Sequence, residues 1–244
     1  MRPLSGRLEG TGTFSKGEPM TTVPPVIVFD VNETLSDMSP LAQRFRDIGA
    51  PVGLAALWFA TLLRDGFALT ASGDHASFSV IGADALRRLL ADVKLDRSAD
   101  AAVDHVMTGL TSLGVHPDVP AGIRALSAAG LRLTTLSNGS ARIADALLSA
   151  AGIRNEFEAL LSVDDAPAWK PARASYDYAA AALGTDPAGM LLVAVHPWDI
   201  HGAARAGLRT AWVNRTGERY PGYFEAPEFT VAALTELPAA LATA

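Results

Sequence analysis

Four polar side chains in this sequence have the chemistry of a nucleophilic site, and each stands beside an apolar or turn-forming segment. Asp30 follows the apolar run 26–29, Ser137 follows the strand-like segment 131–136, Lys170 precedes a proline, and Asp199 comes shortly after the apolar run 190–195. A carboxylate can act as a nucleophile, and a nearby lysine keeps it ionised. Each residue alone has a more ordinary role as a helix cap, a solvated lysine or a first-turn aspartate. Their order along the chain is what indicates chemistry.

The segments between these residues alternate between strand and helix patterns. Residues 26–29 are apolar and rich in β-branched side chains, which predicts a short buried strand. Similar segments predict strands at 131–136, 159–163, 190–195 and 210–213. Strands that alternate with helices form βαβ units, whose right-handed crossovers bring all strand C-termini to one edge of a parallel sheet. Ligands bind at that edge, so we expect the four polar side chains to meet there.

The alternation is interrupted by a long stretch without a convincing buried strand. Apolar residues such as Val103, Val106 and Leu110 repeat there at helical spacing. The fold class that follows is α/β, a Rossmann-like parallel sheet core with an inserted helical cap. The predicted parts are a flexible N-terminal tail at 1–22, a core at 23–37 and 118–244, and a cap at 38–117.

Composition and charge limit the partners and the location of the protein. The net charge of −6 argues against a nucleic-acid partner, which requires a basic face. The sequence has 0 cysteines, which excludes disulfides and thiolate nucleophiles. No apolar stretch is expected to reach the roughly 18–20 residues of a membrane span, and the first 22 residues lack the apolar centre of a signal peptide. We therefore expect no membrane partner and a cytoplasmic location.

Four motifs in this order resemble the haloacid dehalogenase (HAD) superfamily and, more narrowly, the type II L-2-haloacid dehalogenases, from about residue 24 to 237. The resemblance implies a hydrolase that releases halide from small 2-haloalkanoic acids, without a metal or other cofactor, and a possible homodimer. The matching segments are Phe29-Asp30 through Thr34-Leu35, Leu136 to Ser140, Lys170-Pro171 with Tyr176, and Trp198-Asp199 with Gly202-Ala203.

The resemblance also implies a role for each catalytic residue. Asp30 attacks the carbon that bears the halogen and forms an ester, and a water held by Asp199 then hydrolyses that ester. Lys170 keeps Asp30 ionised and offsets negative charge during hydrolysis. Thr34 orients the nucleophile.

Other matched residues are expected to hold the substrate. Ser137 and Tyr176 orient the charged groups or bind the substrate carboxylate, which the amides of residues 137 and 138 would receive at a helix N-terminus. Asn138 and Trp198 are expected to accommodate the halide.

One position distinguishes the expected dehalogenase from a phosphatase of the same superfamily. The superfamily's phosphatases carry a second aspartate where this chain has Asn32, and they bind Mg²⁺ with acidic residues near the position of Val195. Asn32 cannot act as a general acid, and halide is a leaving group that needs none. A Mg²⁺-dependent phosphatase and a weakly active carboxylate binder remain the alternatives.

Two departures from the resemblance predict a divergent subgroup. The family carries an arginine after a cap tryptophan, and if Trp58 is that tryptophan, Phe59 fills the arginine position on the substrate side. Arg64 lies about 140° further around the helix and is no simple substitute. The second departure is His196, which stands where the family has an asparagine. We expect His196 in the active site, either as a base or as a cation beside the ester.

Overall fold

The computed structural model describes residues 26–243, so the predicted tail at 1–22 lies outside the described residues. Its centre is a six-stranded sheet in the order β3-β2-β1-β4-β5-β6, and every neighbouring pair is parallel. The α/β fold class with a parallel core is therefore confirmed, and β6 is a strand that the sequence patterns did not predict. The strands are β1 Val26–Phe29, β2 Arg132–Ser137, β3 Ala159–Ser162, β4 Met190–Ala194, β5 Arg209–Val213 and β6 Phe229–Val231.

Helices connect the strands and also form the insert. Four of them, α5 to α8, lie between or after successive core strands, as the alternating pattern predicted. The insert between β1 and β2 contains α1 to α4 and no named strand among the described residues, which confirms a helical insert. The helices are α1 Leu41–Arg46, α2 Leu54–Ser72, α3 Phe78–Leu90, α4 Ala99–Gly109, α5 Val119–Ala128, α6 Ala141–Ala150, α7 Arg173–Leu183, α8 Pro197–Ala206 and α9 Leu237–Ala242.

The buried side chains of β1 divide between the two faces of the sheet because successive residues of a strand point to opposite sides. Ile27 and Phe29 belong to one hydrophobic cluster, and Val26 and Val28 belong to the other. The second cluster extends into the insert, where Trp58 is fully buried and donates from its indole nitrogen to the carbonyl of Gly82. The cap and one face of the sheet therefore share a continuous core.

The insert leaves the core after β1 and returns before α5. An isolated bridge between Ser36 and Val115 ties the outgoing and returning chains together. The exact limits of the cap at residues 38 and 117 stay a prediction.

One cap helix satisfies the length and apolarity of a membrane-spanning segment. Helix α2, Leu54–Ser72, meets both criteria. The expectation that no apolar stretch reaches the length of a membrane span was therefore wrong. Core helices of soluble proteins pass the same test, and helix α2 packs against its neighbour α3 in the cap. The finding is weak support for a membrane contact.

The strand order reverses beside β1, which is the switch point of the sheet. The chain moves from β1 to β2 and β3 on one side, and β4 to β6 follow on the other. A crevice opens at such a point outside the carboxyl ends of the strands, where ligands bind in open α/β sheets. Asp30 directly follows β1, so its side chain stands at this crevice.

Candidate active site

Asp30 is the centre of a buried group of charged and polar side chains. The Thr34 hydroxyl donates to Oδ2 of Asp30 at 2.6 Å, and Lys170 Nζ donates to Oδ1 at 2.8 Å. Only 3% of Asp30 is exposed. Its backbone continues the β1–β4 ladder through a bond from its amide to the Val193 carbonyl, 3.0 Å long. Both carboxylate oxygens of Asp30 therefore have a fixed direction.

Lys170 joins Asp30 to the second acidic residue of the site. Its ammonium donates to Oδ2 of Asp199 at 2.6 Å, and the Tyr176 hydroxyl donates to Oδ1 of the same carboxylate at 2.6 Å. Lys170, Tyr176 and Asp199 are all 0% exposed. The buried charge cluster, defined as Asp30, Thr34, Lys170, Tyr176 and Asp199, therefore has a donor on each of its four carboxylate oxygens.

Protonation of the two carboxylates is unequal. Burial alone would raise the pKa of Asp30, but the charges of Lys170 and His196 lower it below its usual value. Burial raises the pKa of Asp199 above its usual value, and the Lys170 charge offsets that rise only in part. The two carboxylates outweigh the burial of Lys170 and raise its pKa. The surroundings therefore favour the ionised form of Asp30 more than that of Asp199, and the Lys170 ammonium lies beside both.

Close packing fixes the position of Lys170. The side-chain amide of Asn138 donates to the Lys170 carbonyl at 3.2 Å and accepts from the Lys170 amide at 3.0 Å. The Lys170-Pro171 peptide bond is cis. On α8, a Cβ at Gly202 would lie 2.5 Å from Pro171 Cβ and 2.7 Å from the Tyr176 hydroxyl, so only glycine fits there. In this structure the Asn138 side chain positions Lys170, and its predicted contact with a halide stays a prediction.

Ser137 and Asn32 stand together beside the start of α6. Ser137 Oγ accepts from the Gly139 amide at 2.9 Å, and a Cβ at Gly139 would lie 3.5 Å from Asn32 Nδ2. A small cavity of about 20 Å³ borders Asn32, Ser137, Gly139 and Ser140. Its volume is close to the space that one water molecule needs.

His196 lies on the other side of Asp30, at the N-terminus of α8. Its Nε2 atom is 3.7 Å from Oδ2 of Asp30, 3.6 Å from Oε2 of Glu33 and 3.1 Å from the Asn32 carbonyl. The imidazole stacks on Trp198, with ring centroids 5.0 Å apart and planes inclined by 18°. The expected location of His196 next to Asp30 is therefore present in the structure, while its role stays a prediction.

Glu33 lies beside the site, although sequence reasoning gave it no role there. It adopts φ of 60°, the only positive φ of a non-glycine residue among residues 26–243. The Glu33 amide donates to Ser36 Oγ at 3.2 Å, and its carbonyl lies 2.9 Å from His116 Nε2. Burial raises the pKa of Glu33, the Asp30 charge adds to that rise, and the His196 charge opposes it. Such backbone strain clusters at functional sites, but nothing in the local sequence predicts the positive φ of Glu33.

The cap side of the site is aromatic. Phe59 lies against His196, with centroids 6.4 Å apart, and Phe67 meets Trp198 edge-on at 5.0 Å. Arg64 on the same helix is 67% exposed and pairs with its neighbour Asp65 at 2.8 Å. Phe59 therefore lies at the site beside His196, whereas Arg64 is held at the surface by Asp65. The correspondence of Phe59 to the family's arginine stays a prediction.

A cleft between the cap and the core gives solvent a route to this side. It has a volume of about 650 Å³, and its lining includes Glu33, Phe59, His116, His196 and Arg215. The side chain of Glu33 is 45% exposed and that of His196 is 13% exposed. Asp199 has no exposed surface. Solvent in the cleft can therefore reach Glu33 and His196, whereas the buried charge cluster is closed to it.

The carboxylates do not fit the Mg²⁺ ion that phosphatases of this fold class use. Mg²⁺ requires about six oxygen ligands in near-octahedral geometry. Asp30 follows β1 and Asp199 lies in the first turn of α8, Lys170 donates to both carboxylates, and the apolar Val195 follows β4. Within residues 26–243, no group of three or more His, Cys, Asp or Glu side chains is arranged to hold a metal ion.

A buried carboxylate at the switch point of a parallel sheet, hydrogen-bonded to a buried lysine under a helical insert, places the chain among Rossmann-like proteins with an inserted cap. Comparisons with known proteins agree. Residues 24–207 match the family model for a haloacid dehalogenase-like hydrolase. The chain belongs to the haloacid dehalogenase superfamily, within the L-2-haloacid dehalogenase family.

Individual relatives are similar over nearly their whole length. An (S)-2-haloacid dehalogenase of Pseudomonas sp. (strain YL) is 33% identical over 85% of this chain and 90% of the relative. Haloacetate dehalogenase H-2 of Moraxella sp. (strain B) is 31% identical over 84% of this chain and 92% of the relative. The L-2-haloacid dehalogenase of Xanthobacter autotrophicus, solved with chloropropionic acid covalently bound, has a TM-score of 0.81 at 26% identity and covers 89% of this chain and 98% of its own.

Proposed function

We propose that this protein is a hydrolytic, metal-independent dehalogenase that releases halide from small 2-haloalkanoic acids through an ester on Asp30. The observation that carries the proposal is the position of Asp30 directly after β1, with Lys170 Nζ 2.8 Å and the Thr34 hydroxyl 2.6 Å from its two carboxylate oxygens. The charges of Lys170 and His196 lower the pKa of Asp30 against the effect of burial. An anionic carboxylate is the form that attacks carbon. Thr34 and Lys170 each hold one of its oxygens.

In the first step, a carboxylate oxygen of Asp30 attacks the carbon that carries the halogen. The new carbon–oxygen bond forms as the carbon–halogen bond breaks, and the halide leaves with the bonding electron pair. Because halide needs no proton to leave, the reaction does not require an acid at position 32. Asn32, which borders the small cavity next to Ser137, is compatible with this chemistry.

Two sets of groups would receive the substrate. The backbone amides that follow Ser137 at the start of α6 supply donors for the substrate carboxylate, with Tyr176 and Ser137 as orienting residues. Trp198 and Phe59 line the side near His196 and, with Asn138, would accommodate the halide. The missing cap arginine removes a donor to the halide, which costs up to several kcal/mol of barrier and favours a subgroup with altered halide preference.

The second step would return Asp30 to its ionised form. Water attacks the Asp30 carbonyl carbon, the carbon–oxygen bond to the product breaks, and a 2-hydroxy acid leaves. Lys170, 2.8 Å from Asp30 Oδ1, offsets the negative charge that develops on the carbonyl oxygen. The relatives support the same chemistry through their activities on 2-haloacids and haloacetate and through the covalently bound chloropropionic acid.

The test is halide release from 2-chloropropanoate and from fluoroacetate, with and without EDTA. We expect release that EDTA does not change, and a loss of at least about 10⁴-fold in Asp30→Asn because the nucleophile is gone. Single-turnover reaction in ¹⁸O water should place the label in the Asp30 carboxylate.

Three results contradict the proposal. Mg²⁺-dependent phosphate release in place of halide release makes the protein a phosphatase. Binding of 2-chloropropanoate with no turnover makes it a carboxylate binder. Halide release with ¹⁸O only in the product, and none in Asp30, removes the ester. The expected homodimer and the cytoplasmic location stay predictions.

A further inference from the structure

Lys170 is held in place by its own backbone and by its two neighbours in the chain. Its amide and carbonyl bind the side chain of Asn138, and Pro171 after it packs closely against α8. The residue before it, Trp169, is 1% exposed and is one of the largest fully buried side chains among residues 26–243. Trp169 contacts the cap, and it therefore connects the cap to Lys170.

Both hydrogen-bond donors of Trp169 are satisfied by the cap. The backbone amide donates to Thr70 Oγ1 at 3.2 Å, and the indole Nε1 donates to the Ala76 carbonyl at 3.1 Å. Thr70 lies in the last turn of α2, and Ala76 lies in the loop between α2 and α3. Donors that are removed from water need such partners, so these two acceptors fix both the backbone and the ring of Trp169.

Close packing also holds the indole. The ring of Phe78, the first residue of α3, stacks on it with centroids 6.1 Å apart and planes inclined by 10°. A Cβ at Gly66 of α2 would lie 2.6 Å from two atoms of the indole ring, so a side chain there would displace Trp169 or α2. The Trp169 anchor, defined as Gly66, Thr70, Ala76 and Phe78 around the indole, therefore joins two cap helices and their loop to the core.

The position of Trp169 matters because Lys170 follows it directly. Consecutive Cα atoms are about 3.8 Å apart, so a shift of the Trp169 backbone moves the Lys170 backbone with it. The lysine stem is flexible in water, but Lys170 is 0% exposed, and close packing leaves its stem few alternative paths. Its ammonium is 2.8 Å from Asp30 Oδ1 and 2.6 Å from Asp199 Oδ2, and hydrogen bonds this short tolerate little displacement.

We propose that Trp169 is a positioning residue, through which the cap holds Lys170 against Asp30. The Trp169 anchor fixes the chain before Lys170, while Asn138 and α8 fix Lys170 itself and the residue after it. The cap then does more than cover the site, because it sets the distance between the lysine and the nucleophile. The inference rests on the proposed dehalogenase function, in which Asp30 must stay ionised to attack carbon.

The ionisation of Asp30 distinguishes a positioning role from the ordinary role of a buried tryptophan in stability. Burial alone would raise the pKa of Asp30, and the charge of Lys170, followed by that of His196, lowers it. If Lys170 moves away, the pKa of Asp30 rises, whereas a variant that only loosens the core lowers Tm and leaves this pKa unchanged. The titratable groups that face Asp30 are Lys170, His196, Glu33, Asp199 and Tyr176.

Gly66→Ala displaces the anchor from the cap side. We expect the pKa of Asp30 to rise above that of wild type, as followed by ¹³C NMR of the aspartate carboxyl carbons and assigned with Asp30→Asn. A misplaced catalytic group lowers rates steeply, so kcat/KM for halide release from 2-chloropropanoate should fall by roughly 10- to 100-fold. The pH below which kcat/KM declines should rise together with the pKa.

Gly82→Ala is the matched control, because it overpacks the cap without contacting the anchor. Its Cβ would lie 2.9 Å from Leu62, and its other nearest neighbours are Met107 and Trp58. We expect Tm to fall in this variant while the pKa of Asp30 stays that of wild type.

Thr70→Val keeps the test informative if Gly66→Ala does not fold. Valine cannot accept the hydrogen bond from the Trp169 amide, so we expect a smaller rise in the pKa of Asp30 and a loss of roughly 3- to 10-fold in kcat/KM. Thr70→Ser retains the hydroxyl, and both values should stay close to those of wild type.

The inference is overturned if Gly66→Ala and Thr70→Val lower Tm but leave the pKa of Asp30 unchanged, as Gly82→Ala should. It is also overturned if Thr70→Ser changes the pKa and kcat/KM as much as Thr70→Val does. Absence of halide release in wild type contradicts the proposed function instead, and the NMR titration then still decides whether the cap holds Lys170 against Asp30.

Discussion

On one side of Asp30 a lysine bridges two carboxylates with no access to solvent, and on the other a histidine and a glutamate face an open cleft. Lys170 contacts both carboxylates at 2.8 Å and 2.6 Å, whereas His196 is 3.6 Å or more from the two carboxylates near it. The first arrangement, the buried charge cluster, has short bonds and every oxygen paired. The second arrangement consists of the side chains of Glu33 and His196, called the Glu33–His196 pair, and it has longer contacts and exposed atoms.

This difference in contact length and pairing follows from how far each group of side chains is removed from water. Charges removed from water are stable only when they are paired and hydrogen-bonded, so the buried cluster holds Asp30 ionised and oriented but cannot exchange protons readily. Groups that remain near solvent can change protonation within a reaction cycle. The structure therefore holds a fully paired carboxylate and, within 4 Å of it, a histidine near solvent.

The largest effect on stability is expected from Lys170→Met. Removing the ammonium leaves Asp30 and Asp199 buried without a shared cation, which costs about 3–5 kcal/mol of unfolding free energy. Urea unfolding at neutral pH measures it. Lys94→Met is the control because Lys94 is exposed, and its change should be within about 0.5 kcal/mol. Equal losses in both variants would show that Lys170 is not integral to the cluster.

Thr34→Val should have the next largest effect, mainly on activity. The hydroxyl donates to Asp30 at 2.6 Å and accepts from the Val195 amide at 3.1 Å. A hydrogen bond to a charged group contributes about 1.5–3 kcal/mol, so we expect kcat/KM for halide release to fall by roughly 10- to 100-fold. The control is Thr135→Val on β2, whose buried hydroxyl has no partner among the described residues. That variant should be neutral or more stable, and an equal loss of activity would contradict the assignment.

Gly202→Ala tests the packing that holds the cluster in place. The new Cβ would meet Pro171 Cβ at 2.5 Å and the Tyr176 hydroxyl at 2.7 Å. Overpacking of this kind costs about 1–3 kcal/mol, which thermal unfolding detects as a lower Tm together with reduced activity. Gly114→Ala is the matched control, since nothing lies within 4 Å of its Cβ. An unchanged Tm in Gly202→Ala would show that α8 can move away from Lys170.

The smallest expected effects are pH-dependent changes in stability, and they have opposite signs for Asp30 and Glu33. The folded pKa of Asp30 is lowered, so its ionisation contributes stability above the unfolded pKa of 3.8, and that contribution is lost as pH falls through the folded value. The folded pKa of Glu33 is raised, so its contribution is present below the unfolded pKa of 4.5 and is lost as pH rises through the folded value.

Asp30→Asn should therefore lower Tm more near neutral pH than in acid, and Glu33→Gln should raise Tm near neutral pH and change it less in acid. Thermal unfolding of wild type and both variants from about pH 3 to pH 8 measures the two differences. Curves of the same sign for both variants would contradict the contrast between the buried charge cluster and the Glu33–His196 pair.

Much of the core could be predicted from the sequence because its signals are local. Alternating strand and helix patterns predicted five of the six strands and the helical insert, and parallel order followed from the connections. The three-residue strand Phe229–Val231 was too short to give such a signal. The chain order of Asp30, Ser137, Lys170 and Asp199 predicted a shared sheet edge, and the structure brings three of the four into direct contact.

The sequence by itself determined which chemical groups stand at the strand ends, since these follow from strand boundaries and from the crossover rule of parallel sheets. Only the tertiary structure decided which of those groups contact one another around Asp30. His116, 83 residues from Glu33 in the chain, contacts its carbonyl where the backbone turns left-handed. Asn138 clamps the backbone of Lys170 from 32 residues away. Contacts between residues so far apart in the sequence depend on how whole helices and strands pack, so local residue patterns do not predict them.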